Sequence, residues 1–305
     1  MPPNFEVLID DRFINVTTDN TLSPIDNKYV LSIINDFEDK KWRYSKFQRF
    51  IWDNISETAL TLKERRSLVD MSKLSESAKK LRLLENDVNG ASELAEILLY
   101  GIMKHYYGAL SIVPKIFYKQ NNNDYAKGSD SVHIVIESND DFSLWFGEAK
   151  FYNSITNSRL DKIIESVGNS LLTKKLKKEN SIITNIADLD RILGNKPTLL
   201  GKIKRILLTE TSIDKLKPKL HIPILLLHEC SITANAKESN KKYKDDIVAY
   251  HREKATAYYQ KQINKLSRRI TYYDKISFHI MLFPVPNKNI ISKQFVSAAK
   301  KIREI

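Results

Sequence analysis

The chain contains few residues of several types, with one cysteine, 8 glycines and 9 prolines among 305 residues. The single Cys230 cannot form an internal disulfide, and one thiolate cannot build a structural zinc site. No apolar run reaches the roughly 18 residues that a membrane span needs, and the N-terminus lacks the basic and apolar segments of a secretory signal. These absences predict a cytoplasmic protein without a membrane segment.

The sequence also lacks the motifs of several enzyme classes. It contains no P-loop of the form G-x-x-x-x-G-K-[ST], so any ATP-driven step would have to come from a partner. It contains neither a nucleophile elbow nor the G-x-G-x-x-G fingerprint. The sequence therefore gives no sign of an ATPase, an α/β-hydrolase or a dinucleotide-dependent enzyme.

The residues present in excess are basic, with 49 Lys and Arg against 37 Asp and Glu and a formal net charge of +12. The hydrophobic content of 42% and the aromatic content of 10% are those of a folded protein. Lys and Arg that neutralise phosphates release counterions, so this charge favours a nucleic-acid partner. The alternative is that the charge only keeps the protein in solution.

From residue 90 the hydrophobic pattern alternates between helical and strand spacing. A helix is predicted from residue 90 onward, with Ser92 or Asn89 as its N-cap and Gly108 at its end. The following segments predict, in chain order, a strand at 111–119, a polar loop at 120–130, strands at 131–137 and 142–152, helices at 158–178 and about 181–212, a strand at 220–230, a helix at 237–270, a strand at 276–285 and a helix at 292–304. This order predicts an α/β fold with a central mixed sheet flanked by helices.

Residues 1–85 have a less regular pattern than the rest of the chain. The segments NFEVLID and RFINVT predict short strands, and residues 42–55 have helical spacing. We expect residues 1–85 to form an N-terminal accessory α+β region and residues 86–305 to form the core domain. Within that core, the segment HIPILLLHEC has no polar alternation, which is typical of a strand covered on both faces.

The stretch LWFGEAKFY, residues 144–152, places two charges inside a strand of large apolar residues. Alternate side chains of a strand share a face, so Glu148 and Lys150 point to the same side. Asp130 opens the preceding strand, and antiparallel pairing sets the start of one strand beside the end of the next. We therefore expect Asp130, Glu148 and Lys150 to lie together.

Two neighbouring buried carboxylates repel each other, and a hard divalent cation removes that conflict. Asp130 and Glu148 are therefore predicted ligands of Mg²⁺, with Mn²⁺ as the alternative ion and the backbone carbonyl of Ala149 as a further ligand. Such an ion lowers the pKa of a coordinated water and offsets charge on an attacked phosphate. Lys150 would orient the water or stabilise the transition state. The sequence leaves open whether burial or the two carboxylates dominate the pKa of Lys150.

An E-x-K triplet alone is a weak signal, because most such triplets are exposed ion pairs. The apolar flanks and the upstream Ser-Asp pair strengthen this one. His133 and His228 lie in predicted strands and are expected to be hydrogen-bonded core residues. The lysines at 174, 175, 177 and 178 either contact DNA or stabilise the end of a helix. The basic and aromatic stretch 249–273 either follows a phosphate backbone or packs its rings in the core.

The pattern GSD, followed after 17 residues by EAK, resembles the signature of the PD-(D/E)xK nucleases, the restriction-endonuclease-like superfamily. Ser129 stands where a proline often precedes the aspartate. The resemblance implies a restriction-endonuclease-like core that hydrolyses phosphodiester bonds. In these nucleases an acidic residue on the helix before the sheet often joins the site. Here Glu93 and Glu96 share a helical face. Glu96 is favoured, as a further metal ligand, although the register leaves Glu93 open.

The chain also resembles the HamA family, the nuclease components of the Hachiman antiphage defence system. The matching segments are ELAEILLY, KGSDSVHI, LWFGEAKFY, IPILLLHEC and FHIMLFPVPNK, in this order, over about residues 90–290. This resemblance implies an α/β nuclease core, a divalent metal and DNA as the substrate. It also implies a partner, a HamB-like superfamily 2 helicase, that restrains the nuclease until infection or DNA damage.

Two other interpretations remain open at the level of the sequence. One is a catalytically idle DNA-binding or scaffold subunit of a helicase complex, against which the intact set of Asp130, Glu148 and Lys150 argues. The other is a nuclease of DNA repair or restriction. A separate recognition domain would favour that second role, and residues 1–85 show no recognisable one.

Overall fold

The computed structural model describes residues 5–82, 91–116, 129–139, 141–184, 188–208 and 211–305. The predicted cap Asn89, residues 120–128 of the predicted polar loop and the predicted boundary between residues 85 and 86 lie outside these ranges. The division into an accessory region and a core domain therefore stays a prediction.

Strands and helices alternate through most of the described chain. The strands are β1 (Glu6–Arg12), β2 (Lys28–Ile34), β3 (Phe37–Glu38), β4 (Lys41–Trp42), β5 (Leu110–Ser111), β6 (Ser131–Ser138), β7 (Asp141–Tyr152), β8 (Leu220–Glu229) and β9 (Ser277–Val285). The helices are α1 (Tyr44–Ala59), α2 (Leu62–Ser67), α3 (Asp70–Lys79), α4 (Ala91–Tyr107), α5 (Asn157–Ser170), α6 (Thr173–Thr184), α7 (Asp188–Leu193), α8 (Pro197–Leu207), α9 (Ile213–Leu216), α10 (Ser231–Asn235), α11 (Lys241–Leu266) and α12 (Lys288–Arg303).

Seven strands form one mixed sheet in the order β1–β2–β9–β8–β7–β6–β5. The four strands β2, β9, β8 and β7 run parallel to their neighbours within that group, whereas β1, β6 and β5 pair antiparallel. Strands β3 and β4 form a separate two-stranded ribbon. The predicted α/β fold with a central mixed sheet and flanking helices is therefore confirmed. The N-terminal strands β1 and β2 extend this sheet beyond β9.

Each face of the sheet is covered by a different set of helices. One face packs Leu144 and Phe146 of β7 against apolar residues of α5, α6, α8 and α11. The other face packs Trp145 and Ala149 against α1, α4 and α12. Alternate residues of β7 therefore enter different layers, and each fully buried large apolar side chain contributes about 1.5–3 kcal/mol.

Helix α4 ends as its sequence predicts, and one of its two predicted N-caps is wrong. Gly108 has a φ of +59°, a left-handed conformation that glycine adopts without strain, directly after the last residue of the helix. Ser92 lies within α4 rather than before it, so it is not the N-cap.

Other segments differ from the sequence predictions for local reasons. Among the described residues 111–116 of the strand predicted at 111–119, only Ser111 is in β5, because Pro114 cannot donate to a ladder and Lys115 already lies in a helical turn. Residues 117–119 lie outside the described ranges. The segment RFINVT forms a 3-10 turn, Phe13–Asn15. Strand β2 was missed because its apolar run has no alternation and is ambiguous with a buried helix. The helix predicted at 158–178 is divided into α5 and α6 at Leu171 and Leu172. In the described ranges no helix is long and apolar enough to cross a membrane.

Candidate active site

Asp130 is held at the point where β6 begins to pair with β7. Ser131 pairs with Gly147 in the antiparallel ladder, and the Asp130 N–H donates to the Gly147 carbonyl at 2.8 Å. The Asp130 carboxylate in turn accepts the Ala149 N–H at 3.1 Å. The backbone of the residues on both sides of Glu148 therefore fixes Asp130, in the hairpin arrangement that the sequence predicted.

The ammonium group of Lys150 lies among three oxygen atoms. Its Nζ is 2.7 Å from Glu148 Oε1 and 3.2 Å from Asp130 Oδ2, and it donates to the Ala149 carbonyl at 3.2 Å. These oxygens belong to Asp130, Glu148 and Ala149, three of the residues that were predicted as metal ligands. The structure thus gathers two carboxylates and one carbonyl around a single positive charge.

Glu148 is nearly enclosed, with 9% of its side chain exposed. Burial raises the pKa of Glu148, and the neighbouring charge of Asp130 raises it further, against the opposing effects of Lys150 and Ser166. The Ser166 hydroxyl, on α5, donates to Glu148 Oε1 at 2.7 Å. Ser166 was not predicted as a site residue, because a single serine in a helix has no local feature that distinguishes it.

The electrostatics of Lys150 resolve a question that the sequence left open. Burial lowers the pKa of this ammonium, but the charges of Asp130 and Glu148 and their hydrogen bonds outweigh burial, so the net pKa is raised. Lys150 is therefore protonated at neutral pH in this arrangement. It can donate hydrogen bonds and supply positive charge, but it cannot accept a proton as a base.

A pocket of about 260 Å³ opens beside Glu148. Its lining is polar and includes Ser129, Glu148, Ser166, Asn169, Ser170, Lys175 and Glu179. Glu179, on α6, is 3% exposed and is a second buried acid in this pocket. Glu179 was not predicted as a site residue, because a glutamate in a lysine-rich helix has no local feature that distinguishes it from a surface residue.

Glu179 is held by contacts from two other parts of the chain. Its Oε2 forms an ion pair with Lys115 at 2.9 Å, in which the side chains are 4% and 1% exposed. Its Oε1 accepts the backbone N–H of Ser129 at 2.8 Å. Because Ser129 immediately precedes Asp130, the hydrogen bond from Ser129 to Glu179 also restricts the position of the Asp130 carboxylate.

The two acids predicted on α4 are both buried, but they lie in different surroundings. Glu93 accepts the backbone N–H of Arg82 at 2.9 Å, and its charge acts on Arg303 of α12. The charge of Glu96 acts instead on the Tyr100 hydroxyl, whose pKa is raised mainly by burial and also by Glu96 and Glu179. Glu96 thus lies nearer than Glu93 to the neighbourhood of the pocket. The participation of either acid in catalysis stays a prediction.

The oxygen atoms around Lys150 suit a hard divalent cation, which prefers carboxylate, carbonyl and water oxygens. Asp130, Glu148 and the Ala149 carbonyl supply three such oxygens. Across the described ranges, no group of three His, Cys, Asp or Glu side chains is arranged to hold a metal ion. A cation here would take backbone, water or substrate oxygens beside its carboxylate ligands.

The histidines predicted to be core residues are both buried, but only one is hydrogen-bonded in the described part of the chain. His228 contacts His251 Nε2 at 3.2 Å and the Glu229 carbonyl at 3.3 Å. His133 packs its ring against Tyr100, and neither of its ring nitrogens has a hydrogen-bond partner among the described residues. Burial lowers the pKa of His133 to about 3, so the ring is neutral.

The lysines at 174–178 belong to the start of α6 rather than to the end of α5. The positive end of the helix dipole lies there, so the dipole disfavours these charges and the predicted helix-end stabilisation is wrong. The aromatic residues Tyr258, Tyr259 and Tyr273 of the stretch 249–273 are buried in the core. Several of its basic residues pair with α5, including Lys261 and Lys265 with Asp161. Core packing therefore explains these three rings, whereas Tyr272 of the same stretch is exposed.

Comparison with known proteins identifies the family of the chain. The sequence profile of the HamA family matches residues 10–299. The chain belongs to the HamA family. A search of curated proteins finds no match. HamA membership places the chain in the Hachiman defence system. The profile spans β6 and β7 with Asp130, Glu148 and Lys150, as well as the end of β1 and all of β2.

Proposed function

We propose that this HamA-family chain is a cytoplasmic, metal-dependent deoxyribonuclease of antiviral defence. The observation that carries the proposal is the convergence of Asp130, Glu148 and the Ala149 carbonyl around the charge of Lys150. A pure binding protein has no need to bury such a set beside an open polar pocket. Asp130, Glu148 and Ala149 would hold Mg²⁺ or Mn²⁺, and Glu96 or Glu93 would complete the acidic set.

When bound, the cation would supply Lewis-acid polarisation of the phosphate and lower the pKa of a coordinated water. The residues of the chain account for the rest of the chemistry. Asp130 and Glu148 bind the cation and fix its place relative to the pocket. Lys150 donates hydrogen bonds to the oxygens of this set, so its role would be to orient the attacking water or to stabilise negative charge on the phosphate.

The basic residues near the pocket support a polyanionic substrate. Lys175 lines the pocket, and the neighbouring lysines at 174 and 177 are exposed. The helix dipole disfavours positive charge at the start of α6, so helix stability does not explain why lysines are found there. Binding of an external anion would explain them. DNA satisfies this requirement and matches the net charge of +12 of the whole chain.

The proposal includes a HamB-like superfamily 2 helicase as the partner that restrains the nuclease until infection or DNA damage. Family membership supports this part of the proposal. The chain contains no P-loop, so an ATP-driven release would have to come from such a partner.

The test is incubation of the purified chain, with and without the helicase, with plasmid DNA and Mg²⁺. We expect Glu148→Ala and Lys150→Ala to abolish cutting while folding and DNA binding are retained. Lys162→Ala, at an exposed position of α5, is the matched control and should cut like the parent chain. Cutting by Glu148→Ala at the parent rate would refute the site. Binding of DNA without cutting, in every combination with the helicase, would favour a scaffold role.

A further inference from the structure

The ion pair between Lys115 and Glu179 is among the most deeply buried charged contacts in the described chain. The two residues are separated by 64 positions in the sequence and meet at 2.9 Å. Burying two charges costs desolvation energy, and an apolar pair of similar volume is often as stable or more stable. Stability alone therefore gives no reason for a charged pair at this place.

The position of Glu179 relative to the candidate site suggests another reason. Its Oε1 accepts the Ser129 N–H, and the next N–H along the chain, that of Asp130, donates to Gly147. These consecutive hydrogen bonds hold the backbone on entry to β6 from two sides. Lys115 holds the other oxygen of Glu179, so the carboxylate has little freedom to turn away from Ser129.

We propose that Glu179, held by Lys115, is a positioning residue that fixes Asp130 for cation binding. The inference rests on the proposed function, because it assumes that Asp130 is a cation ligand. Both oxygens of Glu179 have partners within the described chain, so its role is to hold the backbone rather than to bind the cation itself. Residues that orient a ligand through hydrogen bonds typically change metal affinity by about 10–100-fold when they are removed.

The test compares two double variants of the full chain. Lys115→Met with Glu179→Leu removes both charges and leaves the Ser129 N–H without its acceptor. Lys115→Met with Glu179→Gln also removes both charges but keeps an amide oxygen that can accept that N–H. Both variants replace the ion pair with neutral side chains of similar volume, so thermal unfolding should show that both are folded. The main measurement is Mn²⁺ affinity by electron paramagnetic resonance of the free ion.

We expect the variant with Glu179→Leu to bind Mn²⁺ at least about tenfold more weakly than the parent chain. The variant with Glu179→Gln should bind Mn²⁺ like the parent chain. Equal Mn²⁺ affinities of the two double variants would overturn the positioning role. Loss of Mn²⁺ binding in the Gln variant as complete as in Glu148→Ala would also overturn it, because Glu179 would then be a ligand.

Glu148→Ala separates this inference from the proposed function. If Glu148→Ala binds Mn²⁺ as tightly as the parent chain, the candidate metal site is wrong and the positioning role is wrong with it. If Glu148→Ala loses Mn²⁺ and the Leu variant does not, only the positioning role is wrong. DNA binding, measured in the absence of metal, should be the same in both double variants, because neither changes a residue at the exposed start of α6.

Discussion

Gly147 offers a direct test of how tightly the candidate site is packed. The residue precedes Glu148, and its carbonyl accepts the Asp130 N–H at 2.8 Å. A Cβ added at Gly147 would overlap the Ser131 hydroxyl and would lie 2.7 Å from Leu99 Cδ2 on α4. Because Leu99 is fully buried, neither α4 nor β7 can move without disturbing the layer between them.

The expected cost of Gly147→Ala follows from these close approaches. Overpacking a core typically costs about 1–3 kcal/mol, and the reduced flexibility of the unfolded chain returns roughly 0.4–1 kcal/mol. We therefore expect a net decrease of about 1–2 kcal/mol in the free energy of unfolding. Mn²⁺ binding should also weaken, because relief of the overlap displaces the backbone that carries Glu148 and holds Asp130.

Gly201→Ala is the matched control for this prediction. Gly201 lies in α8, and a Cβ added there meets no described atom within 4 Å. Alanine is about 1 kcal/mol more favourable than glycine inside a helix, so this substitution should stabilise the chain. Urea unfolding of both variants measures the difference. If Gly147→Ala is as stable as Gly201→Ala, the close packing of β7 against α4 is wrong.

Three further predictions concern pH and charge. His133→Leu should make the free energy of unfolding less sensitive to acid. Burial lowers the pKa of His133 from 6.5 to about 3 in the folded chain, so protonation of the unfolded chain removes stability as pH falls below 6.5. Between about pH 8 and pH 5 the free energy of unfolding should fall by ~2 kcal/mol more in the parent chain than in the variant, as measured by urea titration. An equal decrease in both would contradict the burial of a neutral ring. Ser166→Ala removes a hydrogen bond that lowers the pKa of Glu148, so Mn²⁺ binding by this variant should require a higher pH. Ser170→Ala is the control, because the Ser170 hydroxyl donates to the Val167 carbonyl instead. Coincident pH profiles of Mn²⁺ binding in the two variants would argue against the role of Ser166. Replacing Lys174 and Lys177 with alanine should weaken DNA binding. The slope of the logarithm of the binding constant against the logarithm of the salt concentration should fall by about 1 for every phosphate that is no longer neutralised. Alanines at Lys300 and Lys301, on α12 across the sheet, should have no effect. Equal weakening by the two pairs would show that only total charge matters.

Comparison of the strands explains where sequence reasoning succeeded. Strands β6, β7, β8 and β9 were placed within one or two residues, because each has a distinct apolar run bounded by polar or turn residues. Strand β2 and the shortness of β5 were not anticipated. Whether these strands pair is determined by their neighbours in the sheet rather than by their own residues. Strand β2 pairs with β9, whose partner residues lie 250 positions away in the sequence.

The sequence by itself determined the grouping of Asp130, Glu148 and Lys150. The two-residue period of a strand and the reversal at a hairpin are local properties of the backbone, so they can be read without knowledge of the rest of the fold. The family could also be recognised from the order of its motifs. These features fix which chemical groups meet on β6 and β7.

Only the tertiary structure decided what surrounds that group. Ser166 and Glu179 reach the pocket from α5 and α6, and Lys115 meets Glu179 across 64 positions of the chain. The helix packing that brings them there depends on the whole core, and no local pattern encodes it. Burial and charge then set the protonation of Glu148 and Lys150, because a pKa depends on the distance to other charges and on desolvation.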